Sequence, residues 1–316
     1  MSKAKLKEIA DVIREKDGTT ESIIANDFAN KIKALPSGKY NIEVIQNTDK
    51  NGKITQTLNI TDWDYVPAPS FDPVFANNSW TQIAQASQII KDNNYTSAQV
   101  KEIFGWDLQT DTKVDIGVDG VSRTIGMLGF NHDDCINEAG FYGGKAGISF
   151  QTIDCEPTKY DMNYDEQRET NGGYAMSKFV SDSYTLFECL SDELKSVIKP
   201  AFKLYANGGR DYYEFTEELP CSIFLFSEIE IFGTVINAQA GETEGTQYEY
   251  WIGKSDVDRI KNWDRYGTGV PDTATSWFLR SCYKDSNTSY VIVRNDGTSN
   301  KSTSTSAQGI SFGFCI

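Results

Sequence analysis

The side chains best suited to chemistry are scattered along this chain. His132, the sole histidine, stands beside Asp133 and Asp134 just after an apolar run that ends in Phe130. That neighbourhood suits a His–Asp proton-sharing pair or a metal ligand set. No serine or cysteine nucleophile motif accompanies it, so a histidine hydrogen-bonded at a strand end is the expectation. Glu228 with Glu230, and Asp161 with Asp165, have the spacing of carboxylate pairs that serve glycoside hydrolysis. A chain with a formal net charge of −15 supplies many such pairs by chance. The six cysteines show no CxxC or other zinc-type spacing, and close redox pairs are missing. The expectation is no catalytic residue, no metal and no cofactor.

The same acidity argues against nucleic acid, whose phosphates need clustered Lys and Arg. No run reaches membrane-spanning length, which predicts no membrane insertion. Residues 1–16 are charged throughout and lack the apolar core of a signal peptide, so the cysteines are expected as buried thiols formed in a reducing cytoplasm. Trp251, Trp263 and Trp277 have rings that stack on sugars, but in a domain of this size tryptophans are mostly core.

Recognition chemistry is concentrated near the end of the chain. Tyr283, Lys284, Asp285, Asn287, Tyr290, Arg294, Asn295 and Asn300 fall in a small, polar stretch between two apolar anchors, Trp277–Leu279 and Ile310–Ile316. Tyrosine offers a large contact area at low entropic cost, and Ser, Thr and Asn adapt their hydrogen bonds, as in antibody loops. Arg294 and Lys284 suit acidic groups on a target. These eight residues are the candidate ligand-binding set. The alternative is a solvated surface hairpin.

The elements that must position them can be read from periodicity. The anchors are expected as buried strands, Ser289–Arg294 as a third strand, and Asn295-Asp296-Gly297 as a tight turn. Ser79 and Thr96 are expected to cap two helices, the second closed by Gly105. Residues 114–118 and 121–130 read as a β-hairpin and 148–153 as a strand. Residues 173–190 and 191–199 read as helices, and Cys221–Phe226 as a strand core. Upstream, Leu6, Ile9 and Ile13, then Phe28, Ile32 and Leu35, lie at helical spacing and predict a hairpin of two helices too small to stand alone. The division expected is 1–38 helical hairpin for assembly, 39–76 β-hairpin connector around Asn51-Gly52, and 77–316 one α+β domain.

Several phrases in that domain are distinctive: residues 129–134 (GFNHDD), 144–151 (GKAGISFQ), 196–200 (SVIKP), 224–233 (FLFSEIEIFG), 244–250 (EGTQYEY), 277–281 (WFLRS) and 309–315 (GISFGFC). They resemble a recurring family of uncharacterised bacterial and phage domains with a C-type-lectin-like fold, related to the formylglycine-generating-enzyme scaffold. Variable receptor-binding proteins of diversity-generating retroelements, such as a phage's major tropism determinant, share that superfold. Residues 9–20 and 25–29 resemble the opening of tail and fibre proteins from phages of Gram-positive bacteria.

These resemblances imply a virion protein of tail or fibre type, assembled in the host cytoplasm. Residues 1–38 would contact other virion structural proteins, and the chain would form a homo-oligomer, a trimer for preference. The C-terminal domain would bind a host cell-surface protein or glycan. The second reading is a decoration or collar protein without a recognition role, and an enzyme acting on cell-wall sugar ranks last. The redox cysteine motif of the formylglycine-generating relatives is missing, although Cys282 and Cys315 stand where they could meet across the terminal sheet.

Overall fold

The computed structural model describes the strand backbones 41–48 and 54–61, and residues 70–316 apart from 109, 137–141, 165–169, 171–172, 209–215, 240–243 and 270–271. The helical hairpin expected over 1–38 lies outside the described residues, as does Asp165. The chain divides into two compact units, Met1–Ser70 and Phe71–Ile316. In the first, β1 (Asn41–Thr48) pairs antiparallel with β2 (Ile54–Thr61), the hairpin that Asn51-Gly52 signals.

The second unit starts ahead of residue 77 for a packing reason. Phe75 is buried, with its ring 5.1 Å from that of Trp106, so part of the expected connector belongs to this core. Helix α1 (Trp80–Asn93) begins at a reciprocal capping box between Ser79 and Gln82. Thr96 and Gln99 repeat the device for α2 (Ser97–Phe104). Gly105 closes α2 at φ 82°, where a Cβ would sit 2.9 Å from that of Pro73. Two further helices are shorter than their sequence spans. A 3₁₀ turn occupies Gly173–Met176, Ser177 then caps α3 (Lys178–Glu188), and Ser191 caps α4 (Asp192–Val197).

The unit is mixed α+β, built on small antiparallel sheets. One sheet has the order β15–β7–β4–β3, from β3 (Thr112–Ile116), β4 (Ser122–Phe130), β7 (Ile148–Thr152) and β15 (Gly313–Cys315). A second has β5 (Asp134–Ile136), β6 (Tyr142–Lys145), β8 (Ala201–Ala206) and β9 (Thr216–Cys221) in the order β6–β5–β8–β9. β10 (Lys261–Trp263) and β11 (Thr273–Thr275) form a two-stranded ribbon. The last sheet is β12 (Trp277–Cys282), β13 (Ser289–Val293) and β14 (Ser299–Thr303), with β13 in the centre.

Two strand expectations are corrected. The expected strand Cys221–Phe226 ends at Cys221, and residues 222–226 run on as buried irregular chain held by Phe224 N–H and C=O bonds to Gly313. The terminal anchor narrows to three strand residues, although Ile310, Phe312 and Phe314 are all buried. Aromatic packing joins the layers: Phe150 stacks on Phe314 at 5.1 Å, and Trp80 meets both edge-on. Each such ring buried contributes about 1.5–3 kcal/mol.

Candidate recognition surface

A buried ion network sets the frame. Arg280 sits in β12 among apolar neighbours and is 0% exposed. Its guanidinium donates to the carbonyls of Leu204 (2.6 Å), Leu225 (2.9 Å) and Glu244 (2.6 Å), and forks onto both carboxylate oxygens of Glu230. Glu230 also accepts from Lys203 Nζ at 2.6 Å, and Lys203 reaches Asp133 at 2.8 Å and the Tyr248 hydroxyl at 3.0 Å. Tyr248, Ser149 and the Cys315 thiol donate to Asp133 in turn.

Burial alone would push the Asp133 carboxyl up, but the adjacent Lys203 ammonium and its other donors hold it well below the usual range. Burial opposes ionisation of Glu230 too, and Arg280 with Lys203 overcomes it. Lys203 is held protonated against burial by the same two carboxylates. Glu244 differs, because burial raises its pKa despite Arg280.

Of the chemistry-bearing residues, Asp133, Glu230 and Cys315 belong to this network. His132, Asp133 and Glu230 bring donor atoms within 4.8 Å of one another, a spacing that suits a metal. Lys203 already supplies the cation between the two carboxylates. His132 stacks on Tyr248 with centroids 4.0 Å apart, and burial lowers its pKa. Asp133, at 5% exposure, is the most exposed of the four charged residues Asp133, Lys203, Glu230 and Arg280, so the arrangement neutralises charge inside a wall. Glu228 and Glu230 do not converge as a catalytic pair: one serves a loop and the other the network. Asp161 pairs with Lys178 at 2.7 Å. All six cysteines are free, and Cys315 neighbours Cys135 and Asp133, whereas Cys282 lies beside Tyr290 and Glu244. Cys282 and Cys315 do not meet across the terminal sheet.

The surface itself is built around Glu228. Helix α5 (Glu228–Phe232) starts at a Ser227–Glu230 capping box and ends at Gly233, φ 69°. The chain then turns back so that one Glu228 oxygen accepts three successive backbone N–H groups, from Ile236 (2.9 Å), Asn237 (2.8 Å) and Ala238 (2.8 Å). The other oxygen accepts the Ser299 hydroxyl of β14. Asn237 Nδ2 also reaches Ser299, at 2.9 Å. Segment 236–239 runs beside the end of β12, with Gln239 N–H donating to Cys282 and Lys284 N–H to Asn237. The carboxylate thus ties the loop to β14, and charge-assisted bonds of this kind are the strong ones.

The eight candidate residues divide on this frame. Lys284, Asp285, Arg294, Asn295 and Asn300 are exposed. Lys284 Nζ donates to the Ile236 carbonyl, and Arg294 lies 3.8 Å from Asp296. Tyr283 is half-buried, with the Lys301 ammonium 4.5 Å from its ring centre. Asn287 is half-buried, and its carbonyl accepts from Thr170 N–H at 2.6 Å.

Tyr290 is a correction. It is 0% exposed, and its hydroxyl donates to Gly173 O at 3.0 Å. All of β13 is buried because it is the central strand and both its faces are covered, so the alternation that would turn Tyr290 outward does not operate. The 294–298 turn is also less free than its composition implies. A Cβ on Gly297, φ 84°, would lie 1.7 Å from Asp256 O, so the turn is seated on a neighbouring loop.

Glu228, Asn237, Ser299, Lys301 and Ile236 (41% exposed) complete the face without having been expected there. Acidic residues inside FLFSEIEIFG and an arginine inside WFLRS were the available signals, since charge in an apolar run must find partners.

Residues 148–316 match a family described as "Domain of unknown function (DUF6273)". No curated protein and no solved structure matches the chain. The matched span holds Lys203, Glu228, Glu230, Glu244, Tyr248, Arg280 and the whole last sheet. Asp133 and His132 lie before it.

Proposed function

We propose, from the premise that the chain belongs to the DUF6273 family through residues 148–316, that it is a phage virion protein of tail or fibre type. Its C-terminal domain, lectin-like in the proposal, binds a host cell-surface receptor. The observation that carries the reading is the Glu228 weld. One buried-end carboxylate fixes the main chain of 236–238 against β14 while Ile236, Lys284, Asp285, Arg294, Asn300 and Lys301 keep their side chains outward. Pre-organised loops that display mixed polar and aromatic groups lose little entropy on binding. The ion network beneath is closed to substrate, which favours recognition over catalysis. Attachment through residues 1–38, a trimeric assembly and retroelement diversification belong to the same proposal and rest on the sequence resemblance.

The test is adsorption of labelled full-length protein to candidate Gram-positive host cells. Tyr283→Ala should weaken adsorption by about thirty-fold if the ring is an interface anchor, and Lys284→Ala and Arg294→Ala by less. Tyr290→Phe should leave adsorption unchanged. Wild-type adsorption by all three surface variants would remove the recognition surface from this face.

A further inference from the structure

Three groups of the buried network stand in an arrangement that charge neutralisation alone does not require. Lys203 Nζ lies 2.8 Å from Asp133 Oδ1 and 2.6 Å from Glu230 Oε1, and all three side chains are buried. Asp133 directly precedes β5, Lys203 is in β8 and Glu230 in α5, so an amine, a carboxyl and a base are held from three separate elements. The rings of Phe224 and Tyr248 flank the nitrogen, with centres 4.3 Å and 5.4 Å away.

The two Asp133 oxygens differ in their partners. Oδ1 faces Lys203. The Tyr248 hydroxyl spans both oxygens, at 3.0 and 2.9 Å, but Ser149 (2.6 Å) and the Cys315 thiol (3.3 Å) add donors to Oδ2 alone. Donors gathered on one carboxyl oxygen stabilise the charge that develops there when a nucleophile adds to the carbon. The nitrogen beside that carbon is already positioned, so the encounter costs no further ordering.

We propose that Lys203 and Asp133 condense into an isopeptide bond, with Glu230 as the proton acceptor. The ammonium gives one proton to Glu230, the freed lone pair attacks Asp133 Cγ, and negative charge collects on Oδ2 under Ser149 and Tyr248. A second ammonium proton and the one held by Glu230 pass to Oδ1, the Cγ–Oδ1 bond breaks, and one water leaves. The nitrogen keeps its last proton as an amide N–H, and Glu230 ends unchanged. Burial disfavours the charge on each partner. Condensation removes both charges and leaves Glu230 with Arg280 as a balanced pair. The ion pair is the state before reaction; in bonded chains Asp133 no longer titrates, and acid sensitivity falls to Glu230 and His132. No residue of the receptor face takes part, so either proposal can fail alone.

The test is intact mass spectrometry of denatured full-length protein after incubation at neutral pH, followed by a tryptic map. Wild type should be lighter than its sequence mass by one water. The map should show one branched peptide joining Asp133 to Lys203, residues 70 apart in sequence, with no cleavage after Lys203. Lys203→Met should have its full sequence mass. Glu230→Gln, which keeps the shape and removes the base, should also stay at full mass, and a folded Glu230→Gln that carries the bond would overturn the proton path. Should Glu230→Gln fold poorly, wild type and Lys203→Met decide. Full sequence mass in the wild type would overturn the proposal. So would a water loss that survives Lys203→Met, the result expected of a succinimide at Asp119-Gly120 or Asp296-Gly297.

Discussion

Replacing Arg280 by Met tests whether the buried network holds the frame. The methionine retains much of the arginine stem's volume, so the change removes charge and hydrogen bonds more than packing. Removing one partner of a buried ion pair costs about 3–5 kcal/mol. Glu230 keeps Lys203 at 2.6 Å, which places the ion-pair loss at the lower end. The carbonyls of Leu204 and Leu225 lose a donor at the same time, while that of Glu244 keeps the Ser227 hydroxyl. Each unsatisfied buried group costs about 1 kcal/mol or more. The sum is about 4–6 kcal/mol, a large part of the roughly 5–15 kcal/mol that holds a typical protein folded.

For a unit of this size about 2–4 °C is lost per kcal/mol, so Tm should fall by about 10–20 °C. Urea unfolding followed by tryptophan fluorescence measures the free energy, with differential scanning fluorimetry for Tm. Arg280→Lys keeps charge without the fork and should fall between Met and wild type. Arg280→Met combined with Glu230→Met should cost less than the sum of the singles, because the orphaned carboxylate disappears with its partner. A cost within about 1 kcal/mol for Arg280→Met, or strict additivity in the double variant, would refute the reasoning.

Glu228→Gln should leave Tm within a few degrees but speed hydrogen exchange at the amides of Ile236, Asn237 and Ala238, and weaken cell adsorption. Alkylation of the native, unreduced protein should label Cys189 first, since the other five thiols are buried; denatured protein should give six labels by mass spectrometry. Stability should fall in acid. Asp133, Glu230 and His132 all have pKa values below their ordinary ones, so their contribution is present above the unfolded values, about 6.5 for His and about 4 for the carboxylates. It is lost as pH falls through the lowered folded values, opposed by Glu244, whose pKa burial raises, and urea midpoints should be lower at pH 3 than at pH 8.

Local signals were legible where a short stretch determines its own structure. Ser79, Thr96 and Gly105 mark helix ends by side-chain and left-handed capping, and Asn295-Asp296-Gly297 marks a turn. Both depend on a few adjacent residues. Trp277, Leu279, Phe312 and Phe314 were legible as frame because apolar anchors have nowhere else to go. Tyr290 was misread because its burial depends on β14 and on whatever covers the other face of β13, partners that alternation along one strand does not encode. The Glu228 and Arg280 contacts were hidden for the same reason. Arg280 joins β12 to main chain 76 residues away in sequence at Leu204, and Glu228 reaches Ser299 across 71 residues. The sequence betrays such groups only as charges in apolar runs, without naming their partners.

The weld at Glu228 has a bearing on how this chain can vary. The carboxylate grips Ile236, Asn237 and Ala238 through main-chain N–H groups, and Arg280 likewise grips main-chain carbonyls. Neither interaction reads which side chain follows. Ala238 is buried in the core and the Asn237 amide holds Ser299, so the freedom falls on Ile236, where any residue except proline leaves the grip intact. Point substitutions at Ile236 can therefore change the outer chemistry of the loop. Folding imposes little veto at that exposed position, so the chemistry displayed there can change while the scaffold stays the same.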